Sequence, residues 1–422
     1  MNIMVVGGGG REHALVKALR KSPKADVIWA LPGNGGMENE ALCVPIAATD
    51  LSGICAFAES NPVDLAVIGP DDPLILGLTD LLEARGIPCF GPNAAAARIE
   101  GSKLFAKRLM EKYNIPTAGY AEFSDPAKAL SYLDAAPLPI VVKADGPALG
   151  KGVTVALTRE EARDAVRAAM EDKAFGESGS RIVIEEYLTG PEVSLMAFTD
   201  GKAIAPLPPA TDHKRAFDGD RGPNTGGMGV VAPSPFYTQA VAEACKERIF
   251  LPTLRAMNAE GCPFKGCLYF GLMLTSDGPK VIEYNCRFGD PETQAVLPLL
   301  GSDLLDILLA VTQGRLAEAE VSFMPGFSCC VVLASQGYPG AYKTGFSLEL
   351  PQTEPWETLY TAGVHSEGGA LTTSGGRVLH AVATGSELSG AICRAYALAG
   401  RVSFENAYFR RDIGKSALEV LR

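Results

Sequence analysis

Positive charge is in short supply in this sequence. Its 422 residues carry 38 Lys plus Arg against 49 Asp plus Glu, a formal net charge of −11. Nucleic acids are bound by basic residues that displace counterions from phosphates, so the chain has no global electrostatic reason to bind DNA or RNA. Long apolar runs are also lacking, and none approaches the roughly 20 residues of a membrane-spanning helix. The opening Met1-Asn2-Ile3-Met4-Val5-Val6-Gly7 has no basic n-region, and its apolar run is too short for a secretory signal. The ten cysteines are dispersed with no Cys-x-x-Cys, which excludes a zinc ribbon or thioredoxin-type motif. A cytoplasmic protein with reduced thiols is expected. Histidine is scarce, at four residues. The 47% hydrophobic and 21% charged fractions belong to a globular rather than a disordered chain.

Glycine, by contrast, is plentiful at 46 residues, and much of it falls in loops beside apolar runs. In the first hundred residues, short apolar runs at 3–6, 27–31, 65–68 and 88–90 end in glycine or proline. Helical patterns at 12–19 and 74–84 lie between them. Alternating strands and helices predict a parallel sheet with helices on both faces, whose ligands sit at the carboxyl ends of the strands. From about Ser102 the pattern changes. A helix is expected over 103–112, strands at 140–144, 153–156 and 181–185, and a helix over 159–170. Longer, mainly antiparallel strands follow at 193–199, 267–275 and 280–285, with helices near 237–260 and 302–313. Residues 319–327 read as a linker. The last hundred residues restart at 329–335 and include a helix over 387–399. No internal repeat is visible.

The loop Gly7-Gly8-Gly9-Gly10-Arg11-Glu12-His13 is not a dinucleotide fingerprint. Glu12 replaces the third glycine, and the second strand ends Leu31-Pro32-Gly33 without a ribose-binding acid. It can still offer a helix N-terminus to an anion, or be only a tight turn. The segment from Lys143 through Gly146, Gly150, Lys151 and Gly152 is not a Walker A loop. Its glycines are one residue too close, and a strand follows. It reads as a hairpin flap whose backbone can approach phosphate, or else as an ordinary glycine hairpin. Glu185-Glu186-Tyr187-Leu188, with Glu192 beyond, suits adenine and ribose, although solvated acids at a strand end explain it in isolation. Asp212-His213-Lys214-Arg215 precedes the loop 222–229, a candidate anion cradle or merely a solvated charge run.

The sharpest chemistry lies at 281–293. On a strand, Glu283, Asn285 and Arg287 project from one face. Glu283 and Asn285 are hard oxygen ligands suited to Mg²⁺ held mostly by nucleotide phosphates, and Arg287 beside them could neutralise a transferring phosphoryl group. The plain alternative is the solvated face of an edge strand.

Taken together, these loops resemble those of the phosphoribosylamine–glycine ligase family of ATP-grasp enzymes in purine biosynthesis. The matching pieces include Gly9-Gly10-Arg11-Glu12-His13-Ala14, Gly69-Pro70-Asp71, Gly101-Ser102-Lys103, Asp212-His213-Lys214-Arg215, 222–229 and 283–294, in family order. The last hundred residues match more loosely. The resemblance implies an α/β and α+β fold. Its parts would be an N-terminal parallel-sheet substrate domain (1–101), a two-lobed ATP-grasp domain (102–324, with a mobile flap over about 120–190) and a small C-terminal α+β domain (325–422). Ending soon after that last lobe, the chain is expected to be monofunctional.

The resemblance also implies the reaction. ATP, glycine and 5-phosphoribosylamine would give ADP, phosphate and glycinamide ribonucleotide through a glycyl phosphate, with Mg²⁺ or Mn²⁺. The carried-over roles are these. Lys103, Lys143 and the flap Gly146, Gly150, Lys151 and Gly152 would meet ATP phosphates. Glu185, Glu186, Tyr187 and Leu188 would hold adenine, with Glu192 on the ribose. Glu283 and Asn285 would hold the metal. Arg287, Lys143 and Lys214 would serve catalysis. Asp212, Lys214, Thr225, Gly226, Gly227, Arg287, Gly289 and Asp290 would face glycine and the acyl phosphate. Gly9, Gly10, Arg11, Glu12, Pro70 and Asp71 would help hold phosphoribosylamine. A monomer or weak homodimer is expected, with no nucleic-acid or membrane partner.

Some positions depart from the family's pattern. Gly8 stands where Asn is common, Pro147 and Leu149 lie in the flap, and Gly190-Pro191-Glu192 leaves one acid. Tyr269, Gly271 and Met273 offer no further metal ligand from the preceding strand. Competing readings are another ATP-grasp carboxylate–amine ligase with a different acid, a biotin-type carboxylase, or a nucleotide-binding regulatory protein. The carboxylase would carry a different substrate loop. The presence of Lys143, Glu283, Asn285 and Arg287 disfavours a regulator without activity.

Overall fold

The computed structural model describes residues 1–146 and 152–421. Its first strand, Ile3–Gly7, is wholly buried at the centre of a five-stranded parallel sheet. The strand order is Leu42–Cys43, Ile28–Pro32, Ile3–Gly7, Leu65–Ile68, Cys89–Phe90. Strand periodicity explains its double burial. Ile3 and Val5 share a core with Ala14, Leu15 and Leu19 of the helix Gly10–Arg20, whereas Met4 and Val6 share one with Ile54, Cys55 and Ala58 of Leu51–Ser60. Full burial of such side chains stabilises the fold by about 1.5–3 kcal/mol each.

The helical pattern expected over 74–84 is broken in the structure. Two short helices, Asp71–Ile75 and Leu78–Glu83, meet at Gly77, whose φ of +88° only glycine adopts freely. Asp71 opens the first of them, three residues after the carboxyl end of strand Leu65–Ile68.

The central region has two four-stranded sheets. A four-stranded sheet of Tyr120–Phe123, Ile182–Glu186, Ile140–Ala144 and Val153–Ala156 is covered by helices Pro126–Ala135 and Arg159–Met170, with a small core of its own. The second, in the order Ile204–Pro206, Glu192–Thr199, Gly266–Thr275, Gly278–Asn285, is antiparallel, as the sequence pattern predicts.

A further sheet joins distant parts of the chain. Thr211–Asp212 and Gly229–Ala232, which flank the basic loop, pair in series with Phe327–Ser335, Arg377–Gly385 and Glu357–Thr361. Helix Leu388–Arg401 packs on it through Leu388, Ala391, Ala395 and Leu398. The C-terminal hundred residues are thereby hydrogen-bonded into the strands that present Asp212. His13 ties the N-terminal helix to the same sheet. Its Nδ1 accepts the Thr361 N–H at 2.8 Å, and its Nε2 is 2.9 Å from a Glu40 carboxylate oxygen.

Candidate active site

Three sheets converge on one cavity of about 910 Å³. The edge strand Gly278–Asn285 supplies Glu283 and Asn285 to its wall, and Arg287 follows just beyond the strand end. Across the ladder Gly271 faces Glu283 and Tyr269 faces Asn285. Space beside Glu283 depends on Gly271, since a Cβ there would stand 3.1 Å from Glu283 Cγ.

Arg287 is held by a residue that the motifs did not single out. Glu100, at the end of helix Ala94–Gly101, accepts from Arg287 Nη2 at 2.9 Å and from the Cys286 N–H at 2.7 Å. Asp71 lies 3.8 Å from Arg287 Nε, and Arg287 Nη1 donates to Asn285 Oδ1 at 3.3 Å. Burial pushes the Glu100 carboxyl pKa up, with Arg287 opposing it. The fork of Arg287 is therefore fixed while it still lines the cavity.

A second cationic group comes from the small sheet and helix Lys103–Lys112. Ser102 caps that helix by accepting the Phe105 N–H, and Asp145 accepts from both Ser102 Oγ and the Leu104 N–H. This fastens the flap's base to the helix N-terminus. Lys103 Nζ reaches the Gly146 carbonyl at 3.3 Å. Lys143 Nζ lies 3.0 Å from Glu185 and donates to the Ile282 carbonyl at 3.2 Å. Lys107, also outside the motifs, shares Glu185 at 3.2 Å and donates to Thr117 and Ala118. Burial depresses the Lys107 ammonium to about 8 despite Glu185, and it also lowers Lys103. Lys107 follows Lys103 by four residues on one helix, so helical spacing alone could have indicated it.

Beyond these lysines Glu186, Tyr187, Leu188 and Glu192 line the wall, as does Gly152. Glu185 also lines it, but with its carboxylate engaged by the two lysines. Glu186 accepts the Gly119 N–H at 2.9 Å and pairs with Lys280 at 3.3 Å.

The other end holds Asp212, Lys214, Thr225, Gly226, Asp290 and Glu292. Lys214 pairs with Glu192 and stands 3.8 Å from Glu283. Burial opposes its charge, yet Glu192 and Glu283 outweigh this and hold its pKa well above the ordinary lysine value. The Asp212 carboxyl is pushed well up, first by burial and then by the Glu292 carboxylate. Glu292 accepts from Tyr269 Oη at 3.1 Å, and Tyr269 also meets Ser194 at 2.7 Å. The Asp290 carboxyl lies well below the usual range, because Arg377, His380 and Arg11 outweigh its burial.

Of the N-terminal loops, Arg11 and Asp71 reach the cavity, whereas Gly9, Gly10, Glu12 and Pro70 do not line it. Glu12 is buried in the loop itself, accepting from the Gly9 N–H at 2.7 Å and from Arg11 Nε at 2.6 Å. It fills the space that side chains at Gly7 and Gly69 would need. Arg11 Nη1 also donates to the Phe288 carbonyl at 3.2 Å. Gly10 abuts His380. Gly146, Gly227 and Gly289 likewise lie just behind the wall. Gly227 presses on Asp212 and Pro291, and the Gly289 N–H points to Met196 Sδ at 3.2 Å. Gly150 and Lys151, like Pro147 and Leu149, lie outside the described residues.

The donor set fits a divalent cation held largely by phosphates. Glu283 and Asn285 offer hard oxygens, and Lys214, Lys143 and Lys103 outweigh burial to keep the Glu283 carboxyl below its ordinary pKa. Among the described residues no group of three or more His, Cys, Asp or Glu forms a protein-only metal cage.

The chain is similar in sequence and in fold to known proteins of one family. Three family models match in sequence: the phosphoribosylglycinamide synthetase N domain over residues 1–100, its ATP-grasp (A) domain over 101–293 and its C domain over 328–416. The phosphoribosylamine–glycine ligase of Vibrio vulnificus strain YJ016 is 46% identical over 423 residues, covering 99% of both chains. That of Leptospira interrogans serovar Lai is 43% identical with the same coverage. The crystal structure of the Thermotoga maritima phosphoribosylamine–glycine ligase superposes with a TM-score of 0.88 at 35% identity, covering 98% of this chain and 100% of that one. The biotin carboxylase domain of Hydrogenobacter thermophilus 2-oxoglutarate carboxylase shares the fold, with a TM-score of 0.75 at 16% identity over 97% of this chain and 91% of that one. With its motifs gathered on one cavity and its whole length matched, the chain belongs to the phosphoribosylglycinamide synthetase family of ATP-grasp ligases.

Proposed function

We propose that the chain joins glycine to 5-phosphoribosylamine at the expense of ATP, giving glycinamide ribonucleotide, ADP and phosphate in purine biosynthesis. The observation that carries this reading is the single cavity. It places a lysine cluster, the Glu283–Asn285 oxygen pair, the fixed guanidinium of Arg287 and the Asp212–Lys214 group within one space. The division into lobes at 1–101, 102–324 and 325–422, with a flap over about 120–190, goes with it.

Lys103 and Lys143 bind the nucleotide's phosphates, and the segment 185–188 takes adenine, with Glu192 at the ribose. Lys143 leaves Glu185 for phosphate without orphaning that carboxylate, because Lys107 remains on it. Glu283 and Asn285 would hold Mg²⁺ or Mn²⁺, which when bound would supply charge neutralisation to the nucleotide's phosphates. Glycine lies toward Asp212, Glu292 and Lys214. The acids suit its ammonium group, and Lys214 with Arg287 suits its carboxylate. A glycine carboxylate oxygen attacks the γ-phosphorus, the bond to ADP breaks, and glycyl phosphate forms. Arg287 stabilises the charge on the transferring group. The amine of phosphoribosylamine then attacks the glycyl carbonyl, phosphate leaves, and the amine loses a proton. Arg11 and Asp71 face this acceptor. Positioning and charge neutralisation are sufficient, without an enzyme nucleophile. The ten free cysteines suit a cytoplasmic setting.

Purified protein given ATP, Mg²⁺, glycine and freshly generated phosphoribosylamine should release phosphate in step with glycinamide ribonucleotide. Turnover with another carboxylic acid, but none with glycine, would overturn the reading.

A further inference from the structure

The C-terminal segment contributes Tyr338 and Arg377 to the cavity wall, and no motif assigns either of them. Arg377 opens the strand Arg377–Gly385 and is fixed in register opposite Ala334. Its Nη1 donates to the Gly226 carbonyl at 2.7 Å and to the Asp290 carbonyl at 3.1 Å, while Nη2 lies 3.1 Å from the Asp290 carboxylate. On the other side of the same residue, the Gly226 N–H donates to Tyr338 Oη at 3.1 Å. The N–H and the carbonyl of one cavity-lining glycine are thus both held by side chains more than a hundred residues away. The neighbouring Gly227 is pressed against Asp212. A Cβ there would stand 2.8 Å from Asp212 Oδ1 and 2.3 Å from Pro291 Cδ. Displacement of Gly226 would therefore move the wall that carries Asp212.

We propose that Arg377, assisted by Tyr338, is a positioning residue for the ligation. It clamps the Gly226–Gly227 turn and the Asp290 carboxylate into the geometry that receives glycine. The C-terminal segment thereby completes the glycine end of the site and is not merely packed behind it. A planar guanidinium serves two carbonyls and a carboxylate from two separate nitrogens in a fixed fork, a spread that lysine's compact ammonium does not reproduce. This inference rests on the reading of glycine as the activated acid.

The test is steady-state kinetics of Arg377→Ala, Arg377→Lys and Tyr338→Phe, with wild-type protein as the control. Misplacement of a reacting group by about 1 Å costs roughly 100-fold, so Arg377→Ala should lose about that in kcat/KM for glycine while KM for ATP stays within about twofold. Added guanidinium should restore part of the Arg377→Ala rate. Tyr338→Phe removes one neutral hydrogen bond and should cost about fivefold in the same parameter. If Arg377→Ala fails to fold, Arg377→Lys decides: reduced kcat/KM for glycine at unchanged Tm supports the clamp, and wild-type kinetics overturn it. Wild-type-like glycine kinetics in Arg377→Ala would also overturn it, as would equal losses toward ATP and glycine with no guanidinium rescue. A wild-type protein that activates only another acid would overturn the functional reading instead. The same variants measured on that acid would still decide the clamp.

Discussion

The residues with the plainest chemistry are those that the backbone period already aligned. Glu283 and Asn285 were legible because a two-residue repeat on a strand needs no tertiary information, whereas Arg287 lies just past the strand end rather than on it as the pattern predicted. Glu100, which fixes Arg287, was not legible, because its role depends on a contact 187 residues along the chain. Arg377 and Tyr338 escaped for the same reason, whereas Lys107 was within reach of helical spacing. Replacement of Glu283 by Ala removes the oxygen proposed to hold the metal and, among the described ion pairs, leaves Lys214 with Glu192. It should lower kcat at least about 100-fold without unfolding the protein, as the loss of a group that organises transition-state charge does. Phosphate release together with circular dichroism checks this, and near-normal turnover would refute the metal role. Lys107→Met leaves Lys143 as the sole partner of Glu185. Lys143 then gives up a charge-assisted contact worth about 1.5–3 kcal/mol to reach phosphate, so KM for ATP should rise at least about tenfold. An unchanged KM would show that the shared carboxylate does not restrain Lys143.

At the scale of elements, most strands and helices were legible and their interruptions less so. The split at Gly77 hid within a continuous apolar pattern because a positive φ leaves no trace in periodicity. The sheet that joins 211–212 and 229–232 to the C-terminal strands was not legible either, since pairing between distant short strands has no local signal. The glycine loop gives a further test. Gly8 stands where the family resemblance leads one to expect asparagine. Here a Cβ at this position would lie 2.3 Å from the Gly33 carbonyl oxygen, against backbone that cannot swing aside. Gly8→Asn should therefore destabilise the protein by about 1–3 kcal/mol rather than restore a substrate contact, as overpacking does. Urea denaturation checks this, and a wild-type midpoint with improved kcat/KM would contradict it.

For the whole molecule, a net charge of −11 coexists with a local gathering of bases. Lys103, Lys107, Lys143, Lys214, Arg287 and Arg377 gather on one cavity, interleaved there with carboxylates such as Glu100, Glu185, Glu192, Glu283 and Asp290. Three of the four histidines are buried neutral groups. His13, His213 and His380 are nearly inaccessible, and burial depresses each ring below its ordinary pKa, with His380 at about 4. The unfolded chain therefore takes up protons first on acidification. Their stabilising effect is complete above about pH 6.5 and is lost as pH falls through the folded values. For His380 alone the shift corresponds to about 3 kcal/mol. Calorimetric Tm should fall steadily between pH 6.5 and 4, and His380→Leu should flatten part of that fall. A Tm independent of pH across this window would contradict the assignment.

The reaction path itself can be followed by the fate of one atom. With glycine carrying ¹⁸O in both carboxylate oxygens, mass spectrometry of the released phosphate reports whether the acid was phosphorylated. A glycyl phosphate intermediate predicts one ¹⁸O in each phosphate formed and one retained in the amide of the product. Unlabelled phosphate, formed in step with the same product, would contradict it.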